Sequence, residues 1–92
     1  MPTNDDIVEV FNGVAEQLEA AMQNRQPIQS AHEGYAVIKE ELDELWDAVK
    51  KDDLESAELE ARHVAAMAIR FLLDLYVRPS KGQGCPKQTS QP

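Results

Sequence analysis

Ninety-two residues carrying a formal net charge of −8 make one small domain, and that charge argues against non-specific binding to nucleic acid or anionic membrane surfaces. Only 5% of the residues are aromatic and strand-like alternation is absent, so an all-α fold with an aliphatic, Ala-rich core is expected. The charge is uneven: residues 1–77 hold all 17 acids and six of the nine bases, a net of −11. So acidic a body suits cation binding or plain solubility, and it would meet a phosphate-bearing ligand through a bridging metal ion.

Thr3-Asn4-Asp5-Asp6 opens a first helix, with Thr3 or Asn4 as cap and the acids at the positive end of the dipole. Ile7, Phe11, Val14, Leu18 and Met22 follow at helical spacing on one face, and Asn24-Arg25-Gln26-Pro27 ends the run. Ser30-Ala31-His32-Glu33 reads as a capping box that starts a second helix, running to about Lys51. Its expected core stripe is Ala31, Tyr35, Ile38, Leu42, Leu45 and Val49. The neighbouring line, Gly34, Val37, Glu41, Glu44 and Ala48, places two carboxylates at the edge of the buried face.

Asp52-Asp53-Leu54-Glu55 is both break and restart, with Asp52 as the expected cap of a third helix and Glu55 at the capping-box position. So short a connection forces the second and third helices antiparallel. The third helix should run from about Asp53 to Val77. From Val64 onward only Arg70 and Asp74 are polar, and a helix apolar on nearly every side is expected to be buried on every side. Three short helices cannot cover it. The expected architecture is therefore a three-helix chain with a central antiparallel hairpin, forming a four-helix-bundle core on dimerisation.

Residues 1–78 form the expected domain and residues 79–92 a Gly/Gln/Pro-rich disordered tail. Cys85, the only cysteine, excludes an intrachain disulfide and fits a reducing, cytoplasmic setting. There is no signal-peptide pattern, and the longest apolar-rich run is too short to span a bilayer, so no membrane partner is expected.

The chemistry-bearing residues pair arithmetically about the turn. Glu44 and Glu60 lie eight residues either side of Asp52, and Glu41 and His63 lie eleven either side. On antiparallel helices all four come to matching heights. Acids three residues apart point the same way on a helix and can share a cation. Three carboxylates beside apolar walls repel one another unless a cation joins them, which is the physical case for Mg²⁺ or a similar ion.

The run Glu40-Glu41-Leu42-Asp43-Glu44-Leu45 resembles the EExxE helix of the MazG-like nucleotide pyrophosphohydrolases, in the all-α NTP pyrophosphatase superfamily. Their second signature is ExxD, with a basic residue seven positions after the Asp. Glu60-Ala61-Arg62-His63 stands there, and Arg70 falls seven residues after His63. The resemblance spans roughly Ala31 to Leu75. It implies a helical dimer or dimer of dimers, with Glu41, Glu44 and Glu60 as Mg²⁺ ligands. The implied activity is hydrolysis of a nucleoside triphosphate to the monophosphate and pyrophosphate. Glu41 and Glu44 would be catalytic, with a carboxylate as base, and Lys39 and Arg62 candidate phosphate contacts.

His63 stands where the family has Asp, and imidazole favours Mn²⁺, Zn²⁺ or Ni²⁺ over Mg²⁺. Asp74 cannot replace it, lying fourteen residues past Glu60, about 21 Å along a helix. Two other classes of function remain open on the sequence: a non-catalytic helical oligomerisation module that keeps the fold, and an acidic mimic of nucleic acid that binds a basic partner.

Overall fold

A computed structural model describes residues 1–79; Cys85 and the tail from Ser80 onward lie outside the described residues. The fold is all-α. Helix α1 spans Asn4–Asn24, α2 Ala31–Lys50 and α3 Leu54–Leu72, and α3 passes directly into a π-helical turn at Leu73–Val77. Both α1 and α2 pack on α3. Helices α2 and α3 are antiparallel, Glu41 meeting His63 and Gly34 meeting Phe71. Helix α1 runs parallel to α3, so that Gly13 lies at Arg62 and Ala21 at Arg70. Among the described residues no helix is long and apolar enough to cross a membrane.

The helix starts follow local chemistry. Thr3 and Asp6 form a reciprocal capping box on α1. Ser30 Oγ accepts from Glu33 N, while the Glu33 carboxylate reaches back one residue further than a capping box would, accepting from Gln29 N at 2.7 Å. At the hairpin the two aspartates exchange their expected roles. Asp52 adopts a left-handed conformation at φ 59°. Its N–H bonds to Val49 O at 3.1 Å and that of Asp53 to Ala48 O at 3.0 Å, closing the last turn of α2 in a Schellman motif. Asp52 is consumed by that closure, so Asp53 caps α3, accepting from Ser56 N at 3.1 Å and Ser56 Oγ at 2.7 Å.

Those Ser56 bonds hold the Asp53 carboxyl below the ordinary value of 3.8. A depressed folded value means that this contribution is complete above the unfolded pKa and is lost as pH falls through the folded one. Asp53→Asn keeps a capping oxygen but does not titrate. Wild type should therefore lose stability relative to Asp53→Asn below pH 3.8 and hold a constant difference above it. Parallel melting-temperature profiles through that window would contradict this.

Helix α2 is rotated from the expected core stripe towards its neighbour. Gly34, Glu41 and Ala48 are buried against α3, Ile38 and Leu45 are half-buried, and Ala31, Tyr35, Leu42 and Val49 are exposed. The reason is close approach along a line of small residues. A Cβ built on Gly34 would stand 2.4 Å from Phe71 Cδ2 and 3.2 Å from Ile28 Cγ2. Gly34→Ala adds helix propensity of about 1 kcal/mol but overpacks this contact at a cost of ~1–3 kcal/mol. Packing should win because the obstruction is an aromatic ring. A melt should show Gly34→Ala destabilised by several degrees, and a variant melting above wild type would show that the helices are less tightly apposed.

The second half of α3 reverses the expectation that its apolar residues are buried all round. Leu72, Tyr76 and Val77 are exposed, whereas Arg70 and Asp74 are among the most buried side chains, at 1% and 7% exposure. The backbone explains this. Where α1 ends, its carbonyls need donors. Arg70 Nη2 donates to Arg25 O at 3.0 Å, and Nη1 donates at 2.6 Å to Ala21 O, which also accepts from Arg25 N. Arg70 Nε bonds Asp74 Oδ2 at 3.0 Å, and that oxygen also accepts from Ile28 N at 2.8 Å. Arg78 Nη2 lies 3.4 Å from Asp74 Oδ1, an ion-pair contact without hydrogen-bond alignment. The π-helical turn falls at the residue that must reach the α1–α2 connection.

Candidate metal centre

Because α2 and α3 leave the hairpin antiparallel, residues equidistant from Asp52 face one another. Glu41 Oε1 lies 3.5 Å from His63 Nδ1, and Glu60 Oε1 lies 3.2 Å from the same nitrogen. One ligand atom from each of Glu41, Glu60 and His63 falls within 4.8 Å of the others. That spacing allows a single divalent ion to be shared.

Burial distinguishes this cluster from an ordinary acidic surface. Glu41 is only 9% exposed, and Glu60 and His63 are half-buried. Glu41 Oε1 is buried with no hydrogen-bond partner. A buried carboxylate oxygen without a donor costs about 1–3 kcal/mol, or more when charged. The other oxygen, Oε2, has only a distant cation, Arg25 Nη2 at 3.9 Å. The oxygen that lacks a partner is the one turned towards His63 and Glu60.

Helix α1 completes the surroundings. Gln17 Oε1 lies 2.9 Å from His63 Nε2. An amide oxygen accepts only, so Nε2 carries a proton. Nδ1 is then the nitrogen that faces the two carboxylates, on the side where a metal ion would sit. The donor set of two carboxylates and an imidazole matches Mn²⁺, which takes oxygen ligands and accepts imidazole more readily than Mg²⁺, or a borderline ion such as Zn²⁺.

Glu44 stands beside the three-residue set. Its side chain is exposed and stands close enough to Glu60 and Glu41 to feel their charge. Partial desolvation, then the negative fields of Glu41 and Glu60, raise its carboxyl above 4.5. Lys39 lies on the outer face, its ammonium 3.1 Å from Asp43. Arg62 pairs with Glu58 and extends across Gly13, its Nε 3.2 Å from where a Cβ would be. It lines a cleft of about 720 Å³ between α1 and α3 that includes none of the metal cluster. Arg25 is thus nearer to the cluster than either expected phosphate contact, yet nothing in its loop position marks it in the sequence. Gln17 was equally invisible, a polar residue between Val14 and Leu18 with no motif around it.

Compared with family models, curated proteins and solved structures, the chain matches none.

Proposed function

We propose that the chain is a divalent-metal-dependent nucleoside triphosphate pyrophosphohydrolase of the MazG-like kind, releasing the monophosphate and pyrophosphate. The observation that carries this reading is the convergence of Glu41, Glu60 and His63 around the unpartnered Oε1 of a buried carboxylate. The order of motifs, Glu40-Glu41-Leu42-Asp43-Glu44 followed by Glu60-Ala61-Arg62-His63, connects that centre to the family it resembles. Glu41, Glu60 and His63 would hold the ion, with Glu44 at its margin. A bound divalent ion supplies neutralisation of phosphate charge and activation of water. Glu44, beside Glu60 at the margin of the ion, serves as base. Arg25, with a side chain 43% exposed beside Glu41, is placed to meet a phosphate oxygen. Lys39 and Arg62 can do so only after releasing Asp43 and Glu58.

The active form in this reading is a homodimer or a dimer of dimers. Tyr35, Leu42, Trp46 and Val49 form an exposed apolar line on α2 at helical spacing, the line that a bundle partner would cover. Light scattering at tens of micromolar, the order at which obligate contacts persist, should give at least a dimer, and Leu42→Glu should shift it to monomer. A monomeric wild type would remove this part of the reading.

Purified protein incubated with NTPs and dNTPs, under Mg²⁺ and separately under Mn²⁺, should release pyrophosphate, and Glu41→Gln should abolish release. A second reading has its own support: His63 replaces the family's Asp, and Lys39 and Arg62 are tied to acids on their own helices. A non-catalytic helical module would show no turnover with either metal.

A further inference from the structure

We infer that Gln17 is a positioning residue that sets the metal preference of the site: its amide oxygen accepts the Nε2 proton of His63 and so turns Nδ1 into a ligand for a Mn²⁺-class ion. This rests on the metal centre proposed above, but not on nucleotide hydrolysis. The Gln17–His63 contact is the only one among the hydrogen bonds of the described residues that joins α1 to the cluster. It spans 46 residues of sequence at 2.9 Å and is partly buried.

The chemistry follows from which nitrogen carries the proton. A neutral imidazole binds a metal through the nitrogen without a proton, and the hydrogen bond at the other nitrogen selects which that is. Partners of this kind fix the tautomer and ring orientation of a ligating histidine. Here Nδ1 lies 3.2 Å from Glu60 Oε1 and 3.5 Å from Glu41 Oε1, among the oxygens that would complete the ion's shell. Remove the Gln17 acceptor and the proton is free to move to Nδ1, where Glu60 and Glu41 would accept it and the metal would lose its nitrogen ligand. The two carboxylates would remain, an oxygen-only site that a hard ion such as Mg²⁺ tolerates. Gln17 therefore affects the two ions unequally.

Gln17 also ties the site to the position of α1. The C-terminal end of that helix is held by Arg70 through Ala21 O and Arg25 O. Gln17 lies one turn before Ala21, so the anchoring of α1 fixes the height of the amide against His63.

The test uses the described protein with Mn²⁺ or Mg²⁺ alone, without nucleotide. Wild type, Gln17→Ala and Gln17→Glu are titrated with each ion by calorimetry, and bound Mn²⁺ is examined by electron spin-echo spectroscopy for imidazole nitrogen coupling. Gln17→Ala should weaken Mn²⁺ by ~10–100-fold and lose the nitrogen coupling, while Mg²⁺ affinity is unchanged. Gln17→Glu keeps an acceptor at the same height and should retain both the affinity and the coupling. An unchanged Mn²⁺ affinity in Gln17→Ala overturns the inference and leaves the metal centre standing. So does equal weakening of both ions, which would mean a packing effect, or a Gln17→Glu variant that fails as Gln17→Ala does. A wild type that binds neither ion overturns this inference and the metal centre together. Metal binding with the expected Gln17 effects but no pyrophosphate release upholds the inference and removes only the enzymatic reading.

Discussion

Arg70→Ala should cost the protein on the order of 3–5 kcal/mol, the usual consequence of removing one partner of a buried pair. Three losses coincide. Asp74, 7% exposed, keeps its charge and loses one of the two donors on Oδ2, with Ile28 N remaining. Arg25 O loses its donor at the end of α1, and Ala21 O keeps only the Arg25 N–H. A cavity also opens where the largest fully buried side chain among the described residues stood. Little else can compensate, because the buried apolar set among the described residues is small: Val14, Ile28, Ala48, Ala66 and Met67. A domain of this size has roughly 5–14 kcal/mol in total, so the melting temperature should fall by about 15–30 °C or the cooperative transition vanish. Asp74→Asn leaves the buried Arg70 guanidinium without its counter-charge but should cost less, since an amide oxygen still accepts from Ile28 N and Arg70 Nε and no cavity opens. The double change should cost less than the sum of the two single ones. An Arg70→Ala variant melting within a few degrees of wild type would show that α1 is held by something other than this ion pair.

Glu41→Gln should have opposite effects with and without metal. Without metal, it replaces a buried carboxylate that has one unpartnered oxygen with a neutral group, so the variant should melt at or above wild type. With Mn²⁺ at about a hundred times its dissociation constant, wild type should gain about 2.7 kcal/mol by mass action and the variant nothing. The crossing of the two melting curves is the signature. A structural carboxylate would give a variant less stable under both conditions, and a surface acid would give no difference under either. The site thus stores a local cost that a ligand can relieve, as functional sites commonly do.

Much of this was legible in the sequence because it depends on local rules. Helical periodicity, the Thr3 and Ser30 caps and the short break at Asp52-Asp53 were enough to place three helices and an antiparallel hairpin. The symmetry about Asp52 brought Glu41 opposite His63 and Glu44 opposite Glu60, because helices of equal rise leaving one turn keep residues in step. What was not legible depends on how helices rotate and what covers them. Periodicity identifies an apolar stripe on α2 without saying whether its own chain or a second one buries it. Tyr35 and Leu42 remain exposed because Gly34 and Ala48 let α2 settle on a different line. Arg70 and Asp74 read as interruptions of an apolar helix, since their partners are backbone groups some 45 residues away. Gln17 escaped for the same reason: a residue made important by one contact across helices leaves no pattern in its neighbours.

The most direct measurement is anomalous diffraction from crystals of the protein grown with Mn²⁺. One peak should lie between Glu41, Glu60 and His63, with Nδ1 of His63 and an oxygen of each glutamate in its coordination shell. A cluster that stays metal-free while Mn²⁺ is bound elsewhere, or His63 Nδ1 hydrogen-bonded to Glu60 with no ion beside it at saturating Mn²⁺, would contradict the account.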